Sequence, residues 1–463
     1  MTTAEHLVIG SGAGGALTAT LLAEAGRDVL ILEEGPNIEA GRYEAFSLDQ
    51  MVNQYRDGGV TAALGRPPVA YVEGRCVGGG TEVNAGLYHL AGEPTLSRWR
   101  ESHGVADLTE EALAPYARAN EAALSVQLLP GPAPRASALL AEGGAALGWP
   151  AFEVPRWCRY EDGRTVRQTM TRTYLPRAEA AGARLAADTR VEKLVLRAGR
   201  ARGAHTRAGL VTAEHVWVCA GAIGSPALLQ RSGLRHPGAG HLRLHPTVKL
   251  AARFPESVGA AADVAVHQVK PEGSSVSFGG SASRPGQVAL ALADDWAANR
   301  MHAEDWERMA VYYAAIRPQG RGRVRAVPGL RDPLVSFGLA RADMRLLGKG
   351  LADLARLVFA AGAQDVFPVI RGGGRFARGA DVEGRLPAMV TRGATSVMTV
   401  HLFSTLPLGE DSQRCPVDSF GVVRGVEALR VNDASLLPDA PGMNPQGTIM
   451  AIAARNVGAF LAR

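Results

Sequence analysis

Lysine is nearly absent from this chain. Lys193, Lys249, Lys270 and Lys349 are the only four among 50 lysine and arginine residues. With abundant alanine and glycine, that skew reads as genome composition bias, and a bacterial source is expected. No long basic block suits a nucleic-acid groove. A net charge of +5 and a pI near 9.1 permit an acidic substrate without demanding one. Cysteine is sparse too. Cys76, Cys158, Cys219 and Cys415 lie far apart and form no CxxC, which argues against a metal site and a disulfide framework. Free thiols fit a reducing compartment. No apolar run reaches the roughly 18 residues of a membrane span. No cationic start leads into a long apolar core, so no signal peptide is read and a cytoplasmic location is expected. There is no internal repeat. What is present is a globular composition: 463 residues, 46% apolar and 21% charged, enough for two or three domains with a large core.

The N-terminus carries the first chemical signal. His6–Ile9 reads as a short buried strand, and Gly10-Ser-Gly12-Ala-Gly-Gly15 follows it. Ala16–Ala25 reads as a helix with Leu17, Leu21 and Leu22 on one face, stopped by Gly26. Val29–Leu32 is a second buried strand ending at Glu33. In such a unit Gly10 permits the tight turn and Gly12 lets backbone approach a pyrophosphate. Gly15 lets helix and strand pack closely, and the helix N-terminus faces the phosphates. Glu33 stands where a carboxylate holds adenosine ribose hydroxyls, which favours an unphosphorylated ribose, as in FAD or NAD.

The next segment chooses between them. Glu73-Gly74-Arg-Cys-Val-Gly78-Gly79-Gly80-Thr81-Glu-Val-Asn84-Ala-Gly86 is too glycine-rich for a core element and suits backbone lying against a flat ligand. It resembles a signature of the glucose–methanol–choline (GMC) family of FAD oxidoreductases. Two further segments agree: Cys219 to Gly233, similar to the family's second signature, and His401 to Leu461, similar to its C-terminal block. The resemblance covers about half the chain and is nearest to bacterial cholesterol-oxidase-like and long-chain-alcohol-oxidase-like members. It implies that Gly79, Gly80, Thr81 and Asn84 border the flavin and that Val191 offers backbone to the adenine. It puts Ala220 and Gly221 beside the adenosine–pyrophosphate region, Asp433 near the pyrophosphate and ribityl chain, and Pro445 and Thr448 in the cofactor-binding C-terminal block. Some members tether the flavin through a histidine just before the asparagine. Val83 stands there, so non-covalent FAD is expected.

Oxidising an alcohol removes a proton from oxygen and a hydride from carbon. A neutral histidine suits the first task, and a second hydrogen-bonding group can steady the oxygen. The resemblance assigns these roles to His401, as base, and Asn444. The segment around His401 departs from the family pattern, with Ser404 in place of Gly and Leu408 in place of Met. Asn444 followed by Pro445 also reads as an N-cap and N1 pair opening a C-terminal helix, so capping alone is an alternative role for Asn444. His89 and His245 are the competing bases.

The middle of the chain matches only loosely. Residues 93–165 mix helical pattern with Pro-rich loops, and 246–400 alternates as a largely antiparallel sheet would. Strands are expected at Val311–Arg317 and Gly322–Val327, and a helix at Asp343–Ala361. Arg317–Arg325 could meet an acidic substrate, and a solvated strand edge is the reading expected of it. Trp296–Tyr313 is left between pocket lining and core packing. The expected fold is mixed α/β. A Rossmann-type FAD-binding domain comprises 1–92, 165–245 and 425–463. A substrate domain of 93–164 and 246–424 has a largely antiparallel sheet backed by helices. The expected activity is FAD-dependent oxidation of a small-molecule alcohol, with O2 or an unidentified redox partner as acceptor. A hydroxynitrile-lyase-like enzyme and a non-catalytic flavoprotein are the alternatives.

Overall fold

His6 to Ile9 are fully or almost fully buried because their strand, β1 (Thr2–Ile9), lies inside a sheet. The computed structural model describes residues 2–259 and 264–463. From β1 the chain enters α1 (Ala13–Glu24) and returns as β2 (Val29–Leu32). The sheet continues through β3 (Arg184–Ala186), β4 (Val191–Arg197), β5 (Arg200–Thr206) and β6 (Gly209–Val218). Its order is β4-β5-β6-β1-β2-β3, with Leu429–Val431 also on β6. The pairs β6·β1, β1·β2 and β2·β3 are parallel. Parallel strands covered on both faces carry unbroken apolar runs, which is why Val29–Leu32 shows no alternation.

The expected leucine stripe on α1 is only part of its burial. Leu17 and Leu22 are buried and Leu21 half-buried, yet Ala16, Thr18, Ala19 and Thr20 are buried as well. The helix touches the sheet on one side and α5 (Gln446–Leu461) on another, so almost every face is covered. Gly26 does end it, with φ +78.

A second, ten-stranded sheet is mostly antiparallel. Its centre is β7 (Thr247–Arg253) paired with β9 (Met309–Ile316), which pairs with β8 (Val276–Gly280). The amphipathic α4 (Arg341–Ala360) packs behind it, burying Leu347, Leu351, Leu354 and Val358. It begins two residues earlier than expected because the Asp343 carboxylate accepts the Ala340 N–H at 2.7 Å. The strand Arg321–Arg325 is not an edge. It lies inside a four-stranded sheet, and the alternation sends Arg321, Arg323 and Arg325 to solvent while Gly322 and Val324 face inward. Trp296–Tyr313 divides: Tyr312 is core, Trp306 packs on a small satellite cluster, and Tyr313 faces a cavity.

The two cores draw on segments from across the chain. Leu96, Trp99, Leu113 and Ala117, from the stretch 93–164, join the core of the first sheet, as do Leu406, Leu408 and Val417. Conversely, Thr61–Ala63 and Val69–Tyr71, from the stretch 1–92, are strands of the second sheet. No helix is long and apolar enough to cross a membrane among the described residues.

Candidate active site

The two sheets face each other across a cavity of about 1380 Å³. Sites for one small ligand usually run to roughly 300–1,000 Å³, so this space suits a dinucleotide together with a substrate.

One wall is backbone. Gly10 turns with φ +103, and a Cβ there would meet the Cys219 carbonyl oxygen at 2.3 Å. Gly12 and Gly79 bring the two glycine runs into contact: a Cβ on Gly79 would lie 2.9 Å from Gly12 Cα. Ser11 Oγ locks the junction, accepting from Gly78 N at 3.1 Å and donating to Glu33 Oε2 at 2.7 Å. Ser11 N donates to the same oxygen at 3.0 Å, and Gly35 N to Glu33 Oε1 at 2.9 Å. Burial raises the Glu33 pKa against these bonds. An ionised carboxylate has about four acceptor positions. Three protein donors leave Glu33 room for one hydroxyl, which fits a ribose.

Asp433 differs. Its oxygens accept from Gly221 N at 2.9 Å, Ser435 N at 2.8 Å and the hydroxyls of Ser225 and Ser435. Its acceptor positions are filled, so it shapes the loop opening α2 (Gly221–Arg231) beside the cavity. Asn84 Nδ2 donates to Gln446 Oε1 at 2.7 Å and ties the flavin-type segment to α5.

Gly80, Thr81, Val191, Ala220 and Pro445 also line the cavity. Gly15 and Thr448 do not. Gly15 sits where a Cβ would meet the Gly10 carbonyl oxygen at 2.0 Å, the helix–strand packing role expected of it. Thr448 is fully buried, and its Oγ1 accepts from Ala91 N at 2.8 Å, so it is a structural tie. An ion-pair cluster at the rim carried no sequence motif: Arg56 meets Glu34, Glu73 and Asp332, and Arg190 meets Glu34 and Asp332.

The opposite wall brings His401 and Asn444 together. Thr399 Oγ1 accepts the His401 N–H at 3.1 Å. Ser404, in the glycine position of the resembled pattern, keeps the left-handed backbone, with φ +69. Asn444 Nδ2 lies 3.3 Å from His401 Nε2, and Asn444 Oδ1 accepts from Gln268 Nε2 at 3.1 Å. The capping expectation is corrected here. The helix starts at Gln446 with Pro445 at its N-cap and no side-chain cap, because the Asn444 amide is turned into the cavity.

Behind His401 stands His245, its Nδ1 3.0 Å from His401 Nδ1. Gly442 N donates to His245 Nε2 at 3.0 Å. That bond leaves the proton of a neutral His245 on Nδ1, donated to His401. A neutral His401 would then keep its proton on Nε2, facing the Asn444 NH2 donor. The Asn444 contact instead favours the other tautomer, with Nε2 bare and the proton on Nδ1 toward His245, so the two neighbours pull the ring opposite ways. Burial lowers the His401 pKa to about 4, helped by His89, so the ring is neutral at pH 7. Burial holds His245 well below 6.5, with His401, Arg317 and Lys270 adding repulsion. His89 does not line the cavity, and Gln268 is its polar neighbour. Gln268, Tyr313 and Lys249 also face this space, and no sequence motif pointed to them. No cluster of metal-ligating residues exists among the described residues.

Comparison with known proteins gives a consistent setting. A model described as GMC oxidoreductase matches residues 51–247, a second of the same description matches 318–453, and an NAD(P)-binding Rossmann-like domain matches 8–56. An uncharacterised GMC-type oxidoreductase of Sinorhizobium fredii is 41% identical over 99% of this chain and 94% of its own length. A long-chain-alcohol oxidase of Arabidopsis thaliana is 26% identical over 97% of this chain and 65% of its own. Among solved structures, pyridoxine 4-oxidase from Mesorbium loti superposes with a TM-score of 0.73 at 18% identity, covering 99% of each chain. Formate oxidase of Aspergillus oryzae does so with 0.76 at 14% identity, covering 100% of this chain and 98% of its own.

Proposed function

The chain belongs to the GMC oxidoreductase family and is an FAD enzyme, and from that premise we propose that it oxidises the CH–OH group of an alcohol. FAD supplies the hydride acceptor. Gly10, Gly12, Gly79, Gly80, Ala220 and Gly221 would hold it by backbone approach, and Glu33 would hold its ribose. Val191 would lie against the adenine, and Thr81, Asn84 and Pro445 would border the flavin. Asp433 acts through the Gly221 loop, and Gly15 and Thr448 act by packing. With Val83 at the tethering position, the cofactor is held without a covalent bond there.

The protein must then fix the carbinol oxygen and take its proton. Asn444 orients the oxygen and His401 receives the proton at Nε2. The observation that carries this reading is the half-buried, neutral imidazole 3.3 Å from a non-capping asparagine amide on the cavity wall. In the tautomer that the Gly442–His245 bond favours, His401 offers Nε2–H to the oxygen as a donor. Its basic form, bare at Nε2, carries the proton on Nδ1 and donates to His245 Nδ1. His245 then releases the Gly442 N–H. A hydroxyl donating into Nε2 favours that form. His245 is thus a positioning residue that sets the cost of making the base.

Anaerobic stopped flow against an alcohol panel tests the reading. The yellow holoenzyme should bleach with its alcohol. His401→Ala should keep FAD and bleach roughly 10²–10⁴-fold more slowly, the usual worth of a general base. Bleaching at the wild-type rate removes His401 from the chemistry. Flavin that stays oxidised while substrate is consumed turns the assignment to a lyase. The same experiment with and without O2 identifies the acceptor.

A further inference from the structure

Charge is divided unevenly across the cavity. Among the described residues, the acids lining it are Glu33, Glu34, Asp57, Glu73, Asp332 and Asp433. Five of these six belong to the nucleotide side or its rim cluster, and Asp57 lies beside that cluster. Around the second sheet the lining is cationic without acids, with Lys249, Lys270 and Arg317, whereas on the nucleotide side Arg56, Arg190 and Arg231 stand among the acids. Two of the chain's four lysines are therefore here.

Lys249 is the informative one. It sits on central strand β7, where it is registered with Tyr313 of β9. Its Nζ donates to Ser281 Oγ at 2.8 Å. Burial lowers its pKa to about 8 with no acid opposing, so it is still charged at pH 7. A part-buried ammonium lacking a counter-ion among the described residues is costly, and the cavity's Arg56, by contrast, is paired with acids. His245, Thr247 and Lys249 all line the cavity. Four residues of chain separate Lys249 from His245 by at most roughly 14 Å. One ligand can therefore reach both ends.

We propose that the alcohol carries an anionic group, a carboxylate or a phosphate, which Lys249 and Ser281 receive while His401 and Asn444 hold the carbinol. Lys270 and Arg317 add a positive field on the same side, felt at His245. This inference rests on the alcohol-oxidation reading and narrows its substrate class. A neutral long-chain alcohol would leave Lys249 with the Ser281 hydroxyl and no counter-ion.

The test compares four matched series: ω-hydroxycarboxylates, monophosphate esters of diols, neutral alkanols and amino alcohols. The holoenzyme should favour one of the anionic series by at least tenfold in kcat/KM over alkanols of equal length, and which series leads identifies the anion. Lys249→Met should lower that ratio at least tenfold, mainly through KM, and Lys249→Arg should restore part of it. Binding is read separately, by titrating the flavin spectrum with non-oxidisable carboxylates and inorganic phosphate. Wild type should show saturable shifts that Lys249→Met weakens at least tenfold. If alkanols are oxidised as well as the anionic series, this proposal falls and alcohol oxidation stands. Equal losses on neutral and anionic series in Lys249→Met also overturn it, since they indicate a cofactor-side role. If no alcohol bleaches the flavin, the activity reading falls, and the spectral titration still decides whether Lys249 binds anions.

Discussion

The two walls of the cavity are built on opposite principles. On the nucleotide wall, polar groups are satisfied within the protein: Asp433 has four donors, Glu33 three, and Arg56 meets three acids. What that wall offers a ligand is mostly backbone, exposed because glycine has no Cβ. On the other wall, side chains do the work, and several are held in costly states: buried or half-buried neutral imidazoles, an amide diverted from its helix, an ammonium with only a hydroxyl partner. On the proposed reading the first wall is a mould and the second a reactive surface. Substitutions should therefore fail differently on each, with loss of cofactor on one and loss of rate or selectivity on the other.

The sharpest break in that contrast is a single methyl group. Gly15→Ala places a Cβ 2.0 Å from the Gly10 carbonyl oxygen and 3.1 Å from Cys219 Cβ. Backbone oxygen cannot move aside without opening the phosphate turn, and overpacking of this kind costs about 1–3 kcal/mol or more. Gly286→Ala, in α3 (Pro285–Ala293) above the second sheet, has nothing within 4 Å. The first variant should emerge from gel filtration colourless. The second should stay yellow with a Tm equal to or above wild type, because alanine is the better helix former. A yellow Gly15→Ala protein would show that the mould tolerates a change of shape.

Asp433→Asn should do less. The amide keeps one accepting oxygen and turns a second group into a donor facing N–H or O–H donors. Unpaired buried donors cost about 1–3 kcal/mol. The expected outcome is FAD that dissociates more readily, with the rate of flavin reduction in the loaded fraction little changed. Absorbance after dialysis and stopped flow on the reconstituted enzyme separate the two. A large fall in reduction rate with FAD retained would move Asp433 to the reactive wall.

This difference also decided what the sequence could reveal. Glycines 10, 12 and 15 and Glu33 announce themselves because a tight turn, a close approach and a ribose ligand fix both residue type and spacing. His401 and Asn444 were legible through family resemblance, but their surroundings were not. His245 is legible only as a competing base, yet it contacts His401 through a fold that joins residues 156 positions apart. Gln268, Tyr313 and Lys249 come from separate strands whose register brings them together, and no local pattern encodes that. Local rules misled at Asn444-Pro445, where capping chemistry is satisfactory in isolation but the amide has partners in Gln268 and His401. They misled again at Arg321–Arg325, where solvent-facing arginines looked like an edge although the strand is paired on both sides.

The smallest expected effect is a shift along the pH axis. His401 titrates near 4 in the folded protein against about 6.5 when exposed. Its neutral, proton-accepting form therefore persists down through pH 5. The kcat/KM profile should be flat in this limb from pH 7 to about 5 and fall only as pH approaches 4, while above 7 the loss of the Lys249 charge near 8 weakens anionic substrates. Stability has the same sign. His6, His89 and His401 are all lowered to about 4. Between roughly 6.5 and 4 the unfolded chain binds protons that the native chain refuses, so stability falls as pH falls through that window. The two effects separate by measurement. Flavin reduction on the millisecond scale reads His401 before unfolding intervenes, and thermal melts read the histidines together. A reduction-rate limb near 6.5 would mean that His401 is solvated like a surface imidazole. The reactive wall would then not be the dry, side-chain surface that distinguishes it from the mould opposite.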